Sequence, residues 1–536
     1  MLEDVKDTIR KASGHSNEYD ASINILNQII RETTLEERRK ELSNSDDFFL
    51  ELRDCAIIGK STLLSEVCTV QYVRIVKAIV IISRNLSVEN QASPQEILLP
   101  NALIDWYLSL MKQDAISYQD LKQIYVLICQ FYFNCSRSNM LFDQSSFSSH
   151  MEFIIEMTKF VDHEDALYAF SLFLSKAFVN ESFVSLLIND SRALIGIYEL
   201  LIMKIIEEKT EIPSIIKSKV DETSELSTLA TVQLKILKYL ITHESFGSLM
   251  KKLKELYNEE AFSSVLNIST MLITSSDKWD LYQLTAISTW GMTFLEEYSD
   301  LVNKYFELEL SDNPIDPSPI YKNLLSILDI LTTLAQYQHV QKFLVSYEGL
   351  QKIITLFDIL EKKCLKIQFN KPSGFTYPDS NIQLNMKATD NIGNIIKNAD
   401  ILNKRIKGNK ICDSNFPGIK CYLVELLGFM TYGQTEVQNL IRELHGLELV
   451  LSNCIIDDNN PFIKERSILC LRYLLADNQQ NQDFITKLEA KKAVNDDVLE
   501  KAGYRMNVDG NGNVKLVSDD KNAVPESTLL SQIHKR

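Results

Sequence analysis

Gly59-Lys60-Ser61 resembles the end of a phosphate-binding loop, the first of three short stretches whose residue types could do chemistry. The motif requires a second glycine five positions earlier so that backbone amides can wrap a phosphate, but that position is Asp54. A carboxylate there would also repel the ligand. We therefore predict that Gly59-Lys60-Ser61 ends a helix and does not bind a nucleotide.

The second stretch, Asp509-Gly510-Asn511-Gly512-Asn513, begins like a calcium-binding loop. Val514 stands where such a loop needs glycine for its sharp turn, and its twelfth position is Asp520 instead of a bidentate glutamate. Val508, Val514 and Leu516 flank the glycines, which can supply the positive φ of a tight turn. We predict a small C-terminal β-hairpin.

The third stretch, Asp162-His163-Glu164-Asp165, has the residue types of metal ligands. Consecutive helical residues point in different directions and cannot converge on one ion, so we predict a solvated helix start. The chain has no HExxH, GxSxG or CxxC motif, and its methionines do not cluster into a soft-ligand copper site. We therefore expect no enzyme activity, no catalytic or metal-binding residue and no cofactor.

The sequence also contains an internal repeat, which indicates the elements that surround these stretches. Two segments near the C-terminus are copies at an offset of 44 residues. Helical repeats of about 40 to 47 residues are typical of armadillo and HEAT arrays, whose repeats stack and whose surfaces bind other proteins. The copies suggest a scaffold that binds proteins. The matched pairs are Pro417/Pro461, Ile419/Ile463, Lys420/Lys464, Val424/Ile468, Leu427/Leu471, Met430/Leu474, Gln438/Gln482 and Ile441/Ile485.

Each copy is predicted to contain short helices that are separated by helix-breaking residues. Apolar residues spaced i, i+3, i+4, i+7 run from Val437 to Leu444, Gly446 then breaks the helix, and the same spacing restarts at Leu447. Before the next copy, we predict Asn460 as a helix N-cap with Pro461 at the first helical position. Three short helices per unit favour an armadillo repeat over a two-helix HEAT repeat.

A third copy lies upstream, where Val340-Gln341 and Gly349-Leu350 match Val437-Gln438 and Gly446-Leu447 at an offset of 97. That offset is one repeat plus roughly fifty residues. The extra residues are 361–416, an asparagine-rich segment with ten Lys/Arg against five Asp/Glu. We predict an inserted loop, which is either functional or disordered.

The fold class predicted for the chain is all-α, an armadillo/HEAT-like α-α superhelix with the small C-terminal hairpin. Residues 1–310 are assigned to N-terminal armadillo-like repeats, with a helical face at Leu234, Leu237, Leu240 and Ile241. The proline-rich 311–319 is either a domain boundary or a long loop between repeats. Residues 320–500 are assigned to C-terminal repeats interrupted by 361–416, and 518–536 to a flexible tail.

The charge and composition of the chain limit the kinds of partner that it can bind. The net charge of −16 argues against general nucleic-acid binding, which needs a concentrated basic surface. The N-terminus lacks the pattern of a secretory signal, and the apolar stretch Val73 to Ile82 is interrupted by Arg74 and Lys77 and is too short for a bilayer. Nine scattered cysteines without paired spacing are typical of reduced, buried thiols in cytosolic proteins. We expect no nucleic-acid or membrane partner.

The segment 417–517 carries a family resemblance. Its Val437-Gln438-Asn439-Leu440-Ile441 run, the Asn453-Cys454…Asp457-Asp458-Asn459-Asn460-Pro461-Phe462 run and the ending from Lys501 to Leu516 closely resemble the C-terminal domain of the ataxin-10 family, as in its fungal members. The resemblance implies a cytoplasmic, armadillo-like, non-catalytic protein that acts through protein contacts. It further implies roles in cytokinesis and, in animals, in neuronal survival and neurite growth, while fungal relatives carry a copper-transport label.

The leading hypothesis is a cytoplasmic protein-interaction scaffold of the ataxin-10 type, with cytokinesis as a candidate process. Lys464, Arg466 and Arg472 are the candidate partner-binding residues, against the more common alternative that they are solvated helix charges. The basic segment 361–416 is a second candidate. Two competing hypotheses are a direct or indirect role in copper homeostasis or transport, and a structural homo-oligomer in which exposed repeat ends pair.

Overall fold

The computed structural model describes most of the chain and is about 75% helical, with 24 α-helices in the described part. It confirms the predicted all-α helical-repeat fold. The chain divides into two compact units, Met1–Tyr347 and Glu348–Arg536. The described residues are 2–11, 16–88, 98–114, 116–135, 147–160, 162–198, 228–276, 278–309, 311, 313–370, 385–487, 504–508 and 514–518.

The first unit contains seventeen described α-helices and one 3-10 turn, Met157–Phe160. The helices are α1 (Glu3–Ile9), α2 (Ser16–Glu32), α3 (Glu36–Ser43), α4 (Asp46–Thr62), α5 (Val70–Leu86), α6 (Leu98–Leu110), α7 (Tyr118–Cys135), α8 (Phe147–Glu156), α9 (Glu164–Ala177), α10 (Glu181–Asn189), α11 (Ser191–Ile197), α12 (Thr228–Ile241), α13 (Phe246–Leu256), α14 (Glu259–Thr274), α15 (Leu281–Leu308), α16 (Pro317–Leu334) and α17 (Gln338–Ser346).

Fifteen of these helices form two layers, and within each layer a helix packs against its nearest neighbours. One layer runs α2, α5, α7, α9, α12, α14, α16, and the other runs α1, α4, α6, α8, α11, α13, α15, α17. The helices of both layers bury apolar residues between the layers, which is how stacked repeats share one continuous core. The predicted face Leu234, Leu237, Leu240 and Ile241 on α12 is buried, as expected.

Side-chain caps fix where several of these helices begin. Asp280 accepts a hydrogen bond from the Gln283 N–H, and the Gln283 side chain accepts one from the Asp280 N–H, which makes a capping box at the start of α15. Asp316 caps α16, whose first residue is Pro317. The proline-rich 311–319 therefore includes the first turn of α16, and its earlier described residues connect α15 to α16, which pack together inside the first unit. The unit boundary falls later, between Tyr347 and Glu348.

Aromatic rings fill the centre of the first unit. Tyr125 on α7 stacks on Phe153 of α8 at 4.3 Å between ring centroids, and Tyr107 of α6 meets both rings edge-on. Phe173 of α9 packs edge-on against Tyr132 and Phe153. Because these rings belong to both layers, they tie four successive helices into one core.

The second unit contains seven described α-helices, three two-stranded sheets and a 3-10 turn, Asp413–Asn415. Helix α18 packs on α20 and α22, and α23 packs on α20 and α22 in turn. The elements are α18 (Gly349–Lys363), β1 (Lys366–Asn370), β2 (Asn385–Thr389), α19 (Ala399–Arg405), β3 (Ile406–Lys407), β4 (Lys410–Ile411), α20 (Ile419–Thr431), α21 (Thr435–Glu443), α22 (Gly446–Ser452), α23 (Ile463–Leu475), α24 (Gln479–Lys487), β5 (Tyr504–Val508) and β6 (Val514–Ser518).

The predicted loop 361–416 is folded where the structure describes it. Strands β1 and β2 pair antiparallel, and helix α19 and strands β3 and β4 follow. Leu365, Ile367, Phe369, Ala388 and Ile406 form a small buried core of their own. The prediction of a loop without regular structure is wrong here, because alternating apolar residues at 365, 367 and 369 form a strand that the surrounding asparagines and lysines conceal.

Helix α23 begins differently from the prediction. Its first residue is Ile463, and it is preceded by Phe462 in a left-handed conformation with φ of 66°. Asn460 is not its N-cap, since the Asn460 amide instead accepts from the Lys420 N–H and donates to Asp457. The Asn460 side chain therefore bonds residues that are brought close by the fold, Lys420 among them, and does not cap the helix as the local sequence predicts.

The helix break at Gly446 and the C-terminal hairpin lie where the sequence predicts them. Gly446 starts α22, and a Cβ on it would lie 2.8 Å from Ile441 Cγ2, so the glycine permits close packing. Strands β5 and β6 pair antiparallel with Val508 opposite Val514, which confirms the predicted hairpin. The possible calcium-loop residues 509–513 lie outside the described residues, as does the predicted tail 518–536 except for Ser518, which ends β6.

Candidate functional site

A buried cluster of charges joins the repeats of the second unit. Lys420 of α20 is 1% exposed, and its Nζ donates to Glu361 Oε2 at 3.0 Å and to Asn453 Oδ1 at 3.1 Å. Lys366 of β1 approaches the other oxygen of Glu361 at 2.6 Å. Burial alone would raise the pKa of the Glu361 carboxyl, but Lys420 and Lys366 outweigh it and hold that pKa below its ordinary value. The cluster ties α18, β1 and α20 together.

The aspartates that follow α22 take the place of a third strand beside β1. Asp457 Oδ1 accepts the Ile367 N–H at 2.9 Å, and Asp458 Oδ2 accepts the Phe369 N–H at 2.8 Å. The Asp458 N–H donates to the Ile367 carbonyl at 2.6 Å. Because β2 occupies only one edge of β1, these bonds satisfy backbone groups on its other edge.

Asparagines complete the same network. Asn415 Oδ1 accepts the Leu365 N–H at 2.9 Å, and its Nδ2 donates to the Leu365 carbonyl at 3.0 Å. Asn459 Nδ2 donates to the Asn415 carbonyl, and the Gly418 N–H donates to the Asn459 carbonyl. The Asn453 to Phe462 run that carries the family resemblance therefore serves the architecture. Sequence reasoning missed this role, since burial of several charged and amide side chains runs against their usual exposure.

The outer side of α23 differs from the equivalent side of α20. Val424 of α20 is fully buried under α23, whereas its copy Ile468 is 50% exposed, and the neighbouring Leu469 is 47% exposed. Large apolar side chains at a repeat position are normally covered by the next helix. Both are only half covered, so α23 has a partly apolar exposed face among the described residues. We call Lys464, Glu465, Ile468, Leu469 and Arg472 the α23 outer face.

The three predicted partner-binding residues do not share one environment. Lys464 and Arg472 are exposed on the α23 outer face and have no ion pair among the described residues. Arg466 points back and forms an ion pair with Glu425 of α20. The structure therefore brings two of the three residues together with Ile468 and Leu469 and assigns Arg466 a contact between repeats. The sequence signal for Ile468 is its match to Val424 in the preceding copy, but that match carries no information on exposure.

A groove of about 540 Å³ lies between α18 on one side and α22 with the turn before it on the other. Its walls carry Asp358, Lys362, His445 and Glu448, where Lys362 forms an ion pair with Asp358 and His445 Nδ1 lies 3.0 Å from Glu448 Oε1. Glu361 at its floor is already bonded to Lys420, Lys366 and Ser452. The groove shows no arrangement of nucleophile and base among the residues that the structure describes.

The stretches considered for chemistry have structural roles. Gly59 lies within α4, where a Cβ would come within 2.2 Å of the Trp106 indole, and the Gly59 carbonyl accepts from the Tyr72 hydroxyl. The stretch lies at the C-terminal end of α4, in agreement with the prediction. His163 precedes α9 and Glu164 starts it, which confirms the predicted helix start.

Metal-binding and thiol chemistry find little support in the described part of the chain. No group of three or more His, Cys, Asp or Glu residues there could hold a metal ion. None of the nine cysteines forms a disulfide in the described structure, and seven are buried. Burial raises the pKa of the thiols of Cys55, Cys364 and Cys470 to about 12 and of Cys421 to about 11, so they are protonated at neutral pH.

Over the described ranges, we find no single helix with the length and hydropathy to cross a bilayer. One pair of helical segments bent by 116°, Glu164–Ala177 with Ser182–Asn189, meets that criterion only when the two are taken together. Much of this pair is buried against neighbouring helices.

The layered helices and the repeated α20–α24 unit define an α-helical repeat protein. The model of the spinocerebellar ataxia type 10 protein domain matches residues 419–517, which span this unit and the hairpin. The chain is 55% identical to an ataxin-10 homolog of Kluyveromyces lactis over 98% of both chains, and 31% identical to that of Saccharomyces cerevisiae over 96% of this chain and 94% of the relative. Human ataxin-10 is 38% identical over 93 residues, 17% of this chain and 20% of its own. The chain belongs to the ataxin-10 family.

Proposed function

We propose that this protein is a non-catalytic scaffold in the cytoplasm that binds other proteins through the α23 outer face. The observation that carries the proposal is the exposure of Ile468, whose copy Val424 in the preceding repeat is buried, together with that of the neighbouring Leu469. Exposed apolar residues rimmed by charge are typical of protein-binding surfaces. Lys464 and Arg472 supply that rim.

The net charge of −16 supports protein partners over nucleic acid, since phosphate backbones would be repelled outside local basic patches. For the process served, we propose cytokinesis, which the family resemblance suggests. The folded segment 361–416 presents the exposed lysines Lys387, Lys397, Lys404, Lys407 and Lys410 and is the second proposed contact region.

The experiment compares partners recovered by quantitative affinity purification on the intact chain and on Ile468→Asp/Leu469→Asp. We expect the variant to lose specific partners at least tenfold while keeping its circular dichroism and melting temperature. The matched control is Leu64→Asp/Val67→Asp, which changes two exposed apolar residues in the first unit. Equal recovery by both variants would refute the α23 outer face as the binding surface.

Two other functions make different predictions for the same preparation. A direct copper role requires stoichiometric copper on the purified chain, and the described residues offer no cluster of ligands for it. A structural homo-oligomer requires a mass that rises with concentration and falls in the Ile468→Asp/Leu469→Asp variant. Metal analysis and sedimentation at two concentrations separate both from the scaffold.

A further inference from the structure

We propose that the α23 outer face binds one amphipathic α-helix of a partner protein, with acidic residues on either side of an apolar stripe. This inference rests on the proposed scaffold function and specifies its partner. The packing of α23 on α20 supports the helical shape, and the charges that replace neutral or buried residues at the equivalent positions support the acidic character.

The chain itself shows how a helix docks on this side of a repeat. Helix α23 packs on α20 with Ile463, Ser467, Cys470 and Leu474 buried. On α20 the receiving positions include Val424, which is fully buried, and Gly428, whose Cα region lies against Cys470. The same positions on α23 are Ile468 and Arg472. A helix is therefore the element whose shape this side of the repeat accepts.

The substitutions between the copies determine which helix fits. Arg472 carries a long side chain where Gly428 has none, so a docking helix cannot come as close there as α23 comes to α20. Such a helix needs long apolar side chains, leucine or methionine, to reach Ile468 and Leu469. Helices in contact otherwise lie about 8–10 Å apart depending on the side chains between them.

The charges on the α23 outer face determine the charge that we expect on the partner helix. Lys420, the copy of Lys464, is buried against Glu361, whereas Lys464 is exposed and has no ion pair among the described residues. Arg472 is exposed in the same way, and the two cations are eight residues apart, ~12 Å along the helix axis. Glu465 is the one acidic residue of the α23 outer face. Carboxylates about two turns apart on the partner would therefore meet both cations.

The probe is a fluorescein-labelled 18-residue alanine-based helical peptide with a central leucine stripe and two glutamates eight residues apart beside it. A matched peptide carries lysines in place of the glutamates. Fluorescence anisotropy on the full chain measures both. We expect the glutamate peptide to bind at least tenfold more tightly than the lysine peptide and to lose this binding at high salt.

Three variants test the surface. Lys464→Glu/Arg472→Glu should reverse the preference toward the lysine peptide, Ile468→Asp/Leu469→Asp should abolish binding of both peptides, and Leu64→Asp/Val67→Asp should change neither. Circular dichroism and melting of each variant confirm that it folds. The charge reversal keeps the test valid even if the aspartate variant is unstable, since a reversal of preference requires a folded surface.

Several outcomes would overturn the inference. Equal binding of both peptides, or none, would show that an acidic helix is not the ligand. If binding is absent while Ile468→Asp/Leu469→Asp dissociates an oligomer, a second copy covers this face. If cross-linking joins Lys464 to residues 488–536 of the same molecule, a segment of this chain covers it. If partners are lost in the affinity experiment but no peptide binds, the scaffold stands and only the helical partner fails.

Discussion

Lys420 and Glu361 form a buried ion pair, with Nζ 3.0 Å from Oε2, although they belong to helices that are separated by the whole β1–β4 segment. Lys366 and Ser452 also contact the Glu361 carboxylate, and Asn453 accepts a hydrogen bond from Lys420. Removing one member of such a cluster leaves the opposite charge buried without its partner, which is more destabilising than replacing both.

This pair predicts an acid-dependent loss of stability. The pKa of Glu361 is lower in the folded chain than its ordinary 4.5, so its ionised form contributes stability that is present above that value and is lost as pH falls through the folded pKa. Glu361→Gln should be less stable than the parent near neutral pH and should have a shallower fall in stability below about pH 4.5. Urea unfolding across pH measures both.

The matched control is Glu436→Gln, which changes an exposed glutamate at the start of α21. It should follow the parent at every pH. Lys420→Met should cost about 3 kcal/mol in the free energy of unfolding at neutral pH, since it leaves part of the Glu361 charge uncompensated. A parent-like pH profile for Glu361→Gln would contradict this account of the cluster.

Two glycines with different surroundings predict opposite effects of alanine. A Cβ on Gly59 would overlap the buried Trp106 indole, so Gly59→Ala should lower the free energy of unfolding by at least about 1–3 kcal/mol. A Cβ on Gly428 would lie 3.8 Å from the Cβ of Cys470, an ordinary contact, so Gly428→Ala should be neutral or stabilise α20 by up to about 1 kcal/mol. Thermal and urea unfolding of the two variants compares them directly.

The hydrogen bonds between the Asn415 side chain and the Leu365 backbone should contribute measurably to the free energy of unfolding. Asn415→Ala leaves the Leu365 N–H and carbonyl without their partner, so we expect a loss of about 1–3 kcal/mol in the free energy of unfolding. Hydrogen exchange followed by mass spectrometry should show faster exchange in 365–370. Asn403→Ala, at an exposed position of α19, is the control and should leave exchange in 365–370 unchanged.

The cysteines predict an order of alkylation. Cys364 and Cys470 are buried, and burial raises the pKa of both thiols to about 12, so both should react with iodoacetamide only after unfolding. Cys412 is partly exposed and should be labelled first. Peptide mass spectrometry in buffer and in urea measures each site. Labelling of Cys470 in the folded chain as fast as Cys412 would contradict the packing of α23 on α20.

The sequence by itself determined the class of fold and the repeat. The 44-residue offset and the i, i+3, i+4, i+7 spacing of Val437, Leu440, Ile441 and Leu444 depend only on local periodicity, which a single chain displays directly. The sequence also located the helix break at Gly446 and the C-terminal hairpin. The absence of motifs likewise pointed away from catalysis, and the candidate cations Lys464 and Arg472 came from the same repeat.

Only the tertiary structure decided which polar residues are buried and which apolar residues are not. Lys420 and Lys464 are the same residue type at the same repeat position, yet Lys420 meets Glu361 and Lys464 meets solvent. Val424 and Ile468 also differ, because Val424 is buried on α20, which has α23 packed against it, whereas Ile468 is half exposed on α23. Burial depends on neighbours that are distant in sequence. The periodicity of the sequence therefore predicts on which face of a helix a side chain lies, but not whether another element covers that face.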